Sequence, residues 1–238
     1  MISIIIPTYN EEKAVEKTIR QFSALTIPHE VIISDSQSTD QTVAIAKPLA
    51  DNVVLLPPDK ERSASCGRNN GAAAASGEFL VFMDCDTFIP DPDAFFAAAL
   101  DEFKKDPKLV GISARIEVDE PVRTLNDAAV SALMNAWFAL LNNVFRVGMA
   151  SGKFQMVRAA TFKKTGGFDE RLFTAEDVDF FGRLARFGRT KIVWQLAVFH
   201  PGRRFHQRGA WRTLFLWMMN AVMFWLYKKP SSDWEPVR

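Results

Sequence analysis

Four short apolar runs dominate the first third of the chain: Ile2–Ile6, Val31–Ile33, Val53–Leu56 and Phe79–Met83. Each is too short for a buried helix and rich in β-branched or aromatic residues, so each reads as a strand. None alternates cleanly between apolar and polar residues. Both faces of the sheet they form must therefore be covered, which is the situation of a parallel sheet packed between helices. Helical patterns lie between the runs. Val15, Ile19 and Phe22 make one apolar stripe, with Asn10 as a predicted N-cap and Glu11 and Glu12 complementing the dipole of the first turn. Thr39–Lys47 and an Ala-rich stretch around Gly71–Ala75 supply two more. The fold class is α/β.

Beyond Pro90 the pattern loosens. A helix over Asp93–Phe103, a strand over Val110–Glu117 and a long apolar helix over Leu125–Val144 come first. A Gly166–Gly167 turn leads to a helix from about Asp177 to Phe187, stopped by Gly188. A strand over Lys191–Val198 and an apolar helix over Trp211–Tyr227 follow. With no repeat and no long linker, this is one domain with an elaborated second half.

At 238 residues and 48% apolar, the chain has ample material for a core, which excludes disorder. Its two cysteines, Cys66 and Cys85, make neither a disulfide framework nor a four-ligand zinc site. Met1–Pro7 lacks the basic segment and length of a secretory signal, so a reducing, cytoplasmic setting is expected. Charge is unevenly spread. Phe180–Ser232 holds ten Lys or Arg and no acid, so with a formal net charge of +1 the remainder carries −9. Such a segment either meets an anionic partner or is a solvated basic face. Nucleic acid is not expected, because no reading motif is present and the aromatics sit in apolar runs rather than among the basic residues.

Neither a G-x-G-x-x-G turn after the first strand nor a G-x-x-x-x-G-K-[ST] loop occurs, and there is no H-E-x-x-H. Acidic residues instead follow the strands: Asp35 after the second, Asp84 and Asp86 after the fourth. Ligands of open parallel sheets bind outside the carboxyl ends of the strands. Two carboxylates one residue apart suit Mg²⁺ or Mn²⁺ shared with a substrate phosphate; a plain turn before Pro90 would use them equally well.

Six short motifs occur in order: Pro7-Thr-Tyr-Asn-Glu-Glu12, Ile33-Ser-Asp-Ser-Gln-Ser-Thr-Asp40, Gly67-Arg-Asn-Asn-Gly71, Asp84-Cys-Asp86, Gly166-Gly-Phe-Asp-Glu170 and Glu176-Asp177. Together, over roughly residues 2–205, they resemble glycosyltransferase family 2, nucleotide-sugar transferases of GT-A fold. The resemblance implies a GT-A domain over 1–205. Its nucleotide half would be about 1–105 and its acceptor half about 106–205, followed by a basic and apolar helix over 206–238. It also implies that Pro7, Thr8, Tyr9, Glu11 and Asp35 line the nucleoside pocket, that Arg68 lies near the base or ribose, and that Asp84 contacts the ribose. Asp86 would ligate a divalent cation, Mn²⁺ or Mg²⁺, on the diphosphate, with His200 as a further ligand; an ordinary hydrogen-bonded histidine is the alternative. Asp177 matches the general base, although acids at a helix start also serve as caps. Arg203 and Arg204 would reach the diphosphate or remain solvated. One departure is visible: Gln37 stands where glycine is common.

The chemistry is coherent with that set. Breaking the anomeric C–O bond of a sugar diphosphate leaves charge on the β-phosphate, which a cation stabilises. One carboxylate takes the proton of the attacking hydroxyl, and a single displacement inverts the anomeric centre. The expected partners are a nucleotide-diphosphate-sugar donor and a sugar or lipid-linked acceptor, hydroxyl or lipid phosphate. A catalytically silent nucleotide-sugar-binding protein and a related nucleotidyltransferase are the alternatives. The latter lacks a Gly-rich loop after the first strand. Finally, Leu214–Tyr227 is apolar all round, carries Trp217, Trp225 and Tyr227, and is flanked by Arg208, Arg212, Lys228 and Lys229. At about 21 Å it falls short of a ~30 Å hydrocarbon core. It therefore suits peripheral membrane contact, helped by the uncharged Ala128–Phe145, or else a covering of the sheet or a homodimer interface.

Overall fold

The computed structural model describes residues 1–227, with side chains through Met219. Trp225, Tyr227, Lys228 and Lys229 of the predicted membrane-facing set thus lie outside the described side chains. The elements are β1 (Ile2–Thr8), α1 (Val15–Arg20), β2 (His29–Asp35), α2 (Thr42–Ala46), β3 (Asn52–Leu55), α3 (Ala64–Ala73), β4 (Phe79–Met83), α4 (Pro92–Lys105) and β5 (Leu109–Val118). A 3₁₀ turn at Glu120–Val122 leads to α5 (Leu125–Ala139), which runs into a π-helical turn at Leu140–Val144. The second half continues with β6 (Phe154–Arg158), α6 (Ala159–Thr165), α7 (Glu176–Leu184), β7 (Arg189–His200), α8 (Arg203–Arg208) and α9 (Ala210–Tyr227).

Among the described residues seven strands form one sheet in the order β3-β2-β1-β4-β6-β5-β7. β1 pairs in parallel with both β2 and β4, and β5 pairs in parallel with β7. β6 runs against β4 and β5. The consequence is directional. The carboxyl ends of β1, β2, β4, β5 and β7 share one edge, and the start of β6 joins them there, with Phe154 opposite Met83. The predicted mostly parallel α/β sheet is thus observed, with one antiparallel strand that the sequence pattern did not reveal.

Period-2 alternation explains the two-layered core. Ile4, Ile6, Val81 and Met83 face α1, α4 and α5 through Val15, Ile19, Phe96 and Met134. Ile5, Leu80 and Phe82 face the other way, onto Phe162, Phe168, Phe180 and Phe181. α3 lies on this second face at unusually short range. A Cβ on Gly71 would come within 2.5 Å of Ile5 Cγ2, so only glycine lets the helix approach β1 this closely.

Three local expectations need correction. Asn10 is not the cap of α1: it adopts φ 52°, and the helix begins at Val15. Its side chain instead accepts the Thr39 backbone N–H, tying the loop after β1 to the loop after β2. The helix predicted over Leu125–Val144 widens into its π turn after Ala139. β6 and α6 fill a segment left without secondary structure. Gln37 adopts φ 64°, a left-handed conformation in which glycine is unstrained, which explains why glycine suits that position.

Candidate active site

The turn after β4, Ile116 of β5, the segment before β6, His200 at the end of β7 and the start of α7 surround one cavity of about 310 Å³. β4 ends at Met83, and the turn after it carries Asp84 and Asp86 to the cavity wall. Because β6 is antiparallel to β4, the residues just before it, Gly152 and Lys153, fall beside that turn. Lys153 Nζ lies 2.5 Å from Asp86 Oδ1 and 3.3 Å from Asp84 Oδ2. The paired acids thus share one ammonium ion. Burial alone would raise the Asp86 carboxyl pKa, but Lys153 and Arg203 outweigh it and hold it below its usual value. Arg203 Nε stands 3.7 Å from Asp86, and Arg203 Nη2 donates to Glu11 at 3.4 Å.

Arg68, on α3, is 2% exposed and reaches the same wall from the opposite layer. Its guanidinium donates to Glu176 Oε1 at 2.8 Å and to Asp84 Oδ1 at 3.1 Å, and lies over the Phe168 ring at 5.3 Å. The next residue, Asn69, explains why this helix and the Gly-Gly-Phe segment keep register. Asn69 accepts the Phe168 N–H and donates to the Phe168 carbonyl, both at 2.9 Å. At Gly167 (φ 76°) any Cβ would meet Asn69 Oδ1 at 2.6 Å. Two motifs far apart in sequence are in this way clasped together.

Asp177 sits in the first turn of α7 behind Ala175, whose φ of 59° is a strained conformation for a residue with a Cβ. Its carboxylate accepts the Gly152 N–H at 2.7 Å and the Val178 N–H at 2.8 Å, and it lines the cavity. Burial, reinforced by the neighbouring Glu176 charge and only partly offset by Arg68, raises its pKa to about 7. A carboxylate tuned in this way exchanges protons near neutrality, where general bases work best.

The other predicted residues fall in two groups. Arg203, Arg204 and His200 line the cavity, and Glu11 pairs with Arg203 there; burial raises the Glu11 pKa although Arg203 opposes it. Pro7, Thr8, Tyr9 and Asp35 lie at the ends of β1 and β2 and do not line that cavity. Asp35 is fully buried and accepts from Thr8 Oγ1 at 2.8 Å, Ser38 N at 2.7 Å and Ser38 Oγ at 2.6 Å. It therefore organises this loop through internal bonds. Tyr9 bonds to Arg62, whose guanidinium also covers its ring at 5.3 Å. Lys153 and Arg62 escaped sequence reasoning; Lys153 precedes a strand that the pattern did not announce.

The donor set is compatible with a divalent cation in part. Asp84 and Asp86 offer hard carboxylate oxygens on one turn, already gathered around a positive charge, and Mg²⁺ commonly takes one or two carboxylates with substrate phosphates. Among the described residues no third acid, histidine or cysteine completes a cluster. His200 is turned to another task. Its Nδ1 accepts the Gly202 N–H at 3.1 Å, which leaves the ring proton on Nε2, and burial lowers its pKa to about 4. Ligation through Nε2 would require the opposite tautomer and the loss of that bond.

Comparison with known proteins agrees with this fold. The family description Glycosyl transferase family 2 matches residues 3–166. The poly-beta-1,6-N-acetyl-D-glucosamine synthase of Staphylococcus epidermidis is 25% identical over 225 residues, covering 88% of this chain and 53% of that protein. The chain spans about half the length of such curated relatives. Among solved structures, the mannosyltransferase PcManGT of Pyrobaculum calidifontis, in complex with GDP-Man and Mn²⁺, superposes with a TM-score of 0.73. It is 20% identical, over 98% of this chain and 65% of that one. Glucosyl-3-phosphoglycerate synthase of Mycobacterium tuberculosis, solved with Mn²⁺, UDP and glucosyl-3-phosphoglycerate, gives 0.64 at 20% identity, over 98% of this chain and 81% of that one. These likenesses establish the GT-A type of fold. By its matched motifs and the extent of that match, the chain belongs to glycosyl transferase family 2.

Proposed function

We propose that the chain transfers a sugar from a nucleotide-diphosphate donor to an acceptor, with inversion at the anomeric carbon. The observation that carries this reading is Asp177: a carboxylate with its pKa raised to about 7, facing the cavity that Asp84, Asp86 and Lys153 also line. Asp177 accepts the acceptor's hydroxyl proton as the new glycosidic bond forms, and the nucleoside diphosphate leaves from the opposite face. The Gly152 N–H holds the Asp177 carboxylate in place for that transfer. Arg68 fixes Glu176 and Asp84 around it. Asp84 and Asp86 would hold a divalent cation together with diphosphate oxygens, and such an ion offsets the charge developing on the β-phosphate. Lys153 and Arg203, both beside Asp86, are this chain's own cations placed to offset charge on the leaving phosphate. The ends of β1 and β2, with Tyr9 and the loop held by Asp35, take the nucleoside.

The test is transfer from a panel of UDP-, GDP- and dTDP-sugars, followed by proton NMR of the anomeric signal. An inverted product whose formation drops sharply in Asp177→Asn agrees with the reading. Retention of configuration, or full turnover by Asp177→Asn, contradicts it.

A further inference from the structure

The cavity has two chemically different ends. One is the charged floor described above. The other is hydrocarbon, built by Met134, Trp137 and Phe138 of α5, Phe205 of α8, and Leu214 and Trp217 of α9. A nucleotide and a sugar ring are recognised chiefly through hydrogen bonds and phosphate contacts, so neither accounts for an aliphatic and aromatic wall of this extent. The wall also continues outside the cavity. On α5, Leu133 and Trp137 are 51% and 42% exposed, and Leu140 follows at helical spacing. On α9, Trp211, Phe215 and Met218 repeat the same spacing at 51%, 63% and 43% exposure. Scattered exposed apolar residues are ordinary, whereas a continuous stripe leading out of a reaction cavity marks a ligand path. The two helices are held side by side at its edge, where Trp211 donates to Asn126 at 3.3 Å.

We infer that the acceptor is an amphiphile: a hydroxyl-bearing head at Asp177, an anionic linkage beside Arg204, and a hydrocarbon chain lying along α5 and α9. This rests on the transfer reading above. The continuity of the path selects this occupant over a second copy of the chain. Whatever fills the path must begin at the reacting atoms, and a folded surface cannot enter a 310 Å³ cavity. Charge agrees as well. Arg204 lines the cavity, and a guanidinium at that place suits an anionic linkage. In the reaction the head-group oxygen bonds to the anomeric carbon while the bond to the β-phosphate oxygen breaks. The hydroxyl proton passes to Asp177, and the electron pair leaves with the nucleoside diphosphate. No helix among the described residues is long and apolar enough to cross a membrane.

The experiment is calorimetric titration of the full chain with farnesyl phosphate, geranyl phosphate and inorganic phosphate, below the micellar range. It is repeated in Leu133→Glu and Met218→Glu, with UDP and GDP binding as a separate readout. Both substituted positions are half exposed, and circular dichroism checks that each variant folds. Farnesyl phosphate should bind at least about tenfold more tightly than geranyl phosphate, because fewer than two additional buried methylenes already supply that factor. Inorganic phosphate should bind far more weakly, and each glutamate should remove most of the chain-length dependence. Equal affinity for both chain lengths, indifference to both variants, or flotation with anionic vesicles in place of lipid-phosphate binding overturns the proposal. Loss of UDP and GDP binding with the chain-length dependence intact contradicts the transfer reading instead and leaves the amphiphile site standing.

Discussion

The guanidinium of Arg68 meets the carboxylate of Glu176 at 2.8 Å, across 108 residues of sequence, and is itself 2% exposed. This pair fastens α3 to the first turn of α7, so the helix that presents Asp177 is held by a helix belonging to the other half of the sheet. Breaking a buried pair leaves one charge uncompensated, which costs about 3–5 kcal/mol. Arg68→Leu should therefore lower stability by that amount in urea unfolding. Because Arg68 also restrains the rise of the Asp177 pKa, its loss should move the acidic limb of the pH–rate profile upward. A change below about 1 kcal/mol with an unmoved limb would separate this pair from both roles.

Asp177 has opposite effects on rate and stability. Its folded-state pKa of about 7 stands above the ordinary 3.8, so between those values the folded chain binds more protons than the unfolded chain. Stability contributed by this group is therefore lost as pH rises through that window. Asp177→Asn should raise the melting temperature at pH 8, by about 2–4 °C for each kcal/mol relieved, with the gain fading toward pH 4. The same substitution should cost roughly 10²–10⁴ in kcat and leave nucleotide affinity unchanged. Parallel melting and kinetic series in the two proteins check both halves.

Lys153 competes with any divalent ion for Asp84 and Asp86, since its ammonium already lies between them. In the absence of nucleotide, Mn²⁺ should bind weakly to the native chain and at least about tenfold more tightly to Lys153→Met, since tenfold corresponds to only 1.4 kcal/mol. Electron paramagnetic resonance of free Mn²⁺ measures this directly. Equal Mn²⁺ affinity in the two proteins would mean that the ammonium does not stand in the cation's place.

Gly71→Ala tests how the nucleotide-side helix is seated. The added methyl would lie 2.5 Å from Ile5 Cγ2 and 3.2 Å from Ser34 Cβ, in a core without slack. Overpacking of this kind typically costs about 1–3 kcal/mol. Chemical unfolding should show that loss, and because Arg68 rides on the same helix, nucleotide affinity should fall with it.

Much of this architecture was legible because its causes are local. Phe79–Met83 is apolar throughout and Ile2–Ile6 is so except for Ser3, and only a sheet covered on both faces accommodates such runs. Asp84 and Asp86 stand out in the sequence as acids at a strand end, whereas Asp177 is marked only through the family resemblance, since an acid at a helix start also serves as a cap. β6 was not legible: Phe154–Arg158 is a five-residue strand containing Gln155 and Arg158, and its place between β4 and β5 is fixed by tertiary pairing alone. Lys153 was hidden with it, because nothing about an isolated lysine announces the carboxylates it will meet. Asn10 misled for a related reason. Its side chain satisfies a neighbouring loop at Thr39 instead of its own helix, a choice made by the packing of β1 against β2.

The central claim is that the acids after β4 receive a nucleoside diphosphate together with a divalent cation. Calorimetric titration of UDP and GDP, with and without Mn²⁺, into the native chain and Asp86→Asn tests it most directly. The account predicts binding of at least one nucleotide that weakens tenfold or more when Mn²⁺ is withheld, and a similar loss in Asp86→Asn. Binding equally strong with and without Mn²⁺ and in both proteins, or no binding of either nucleotide, would contradict it.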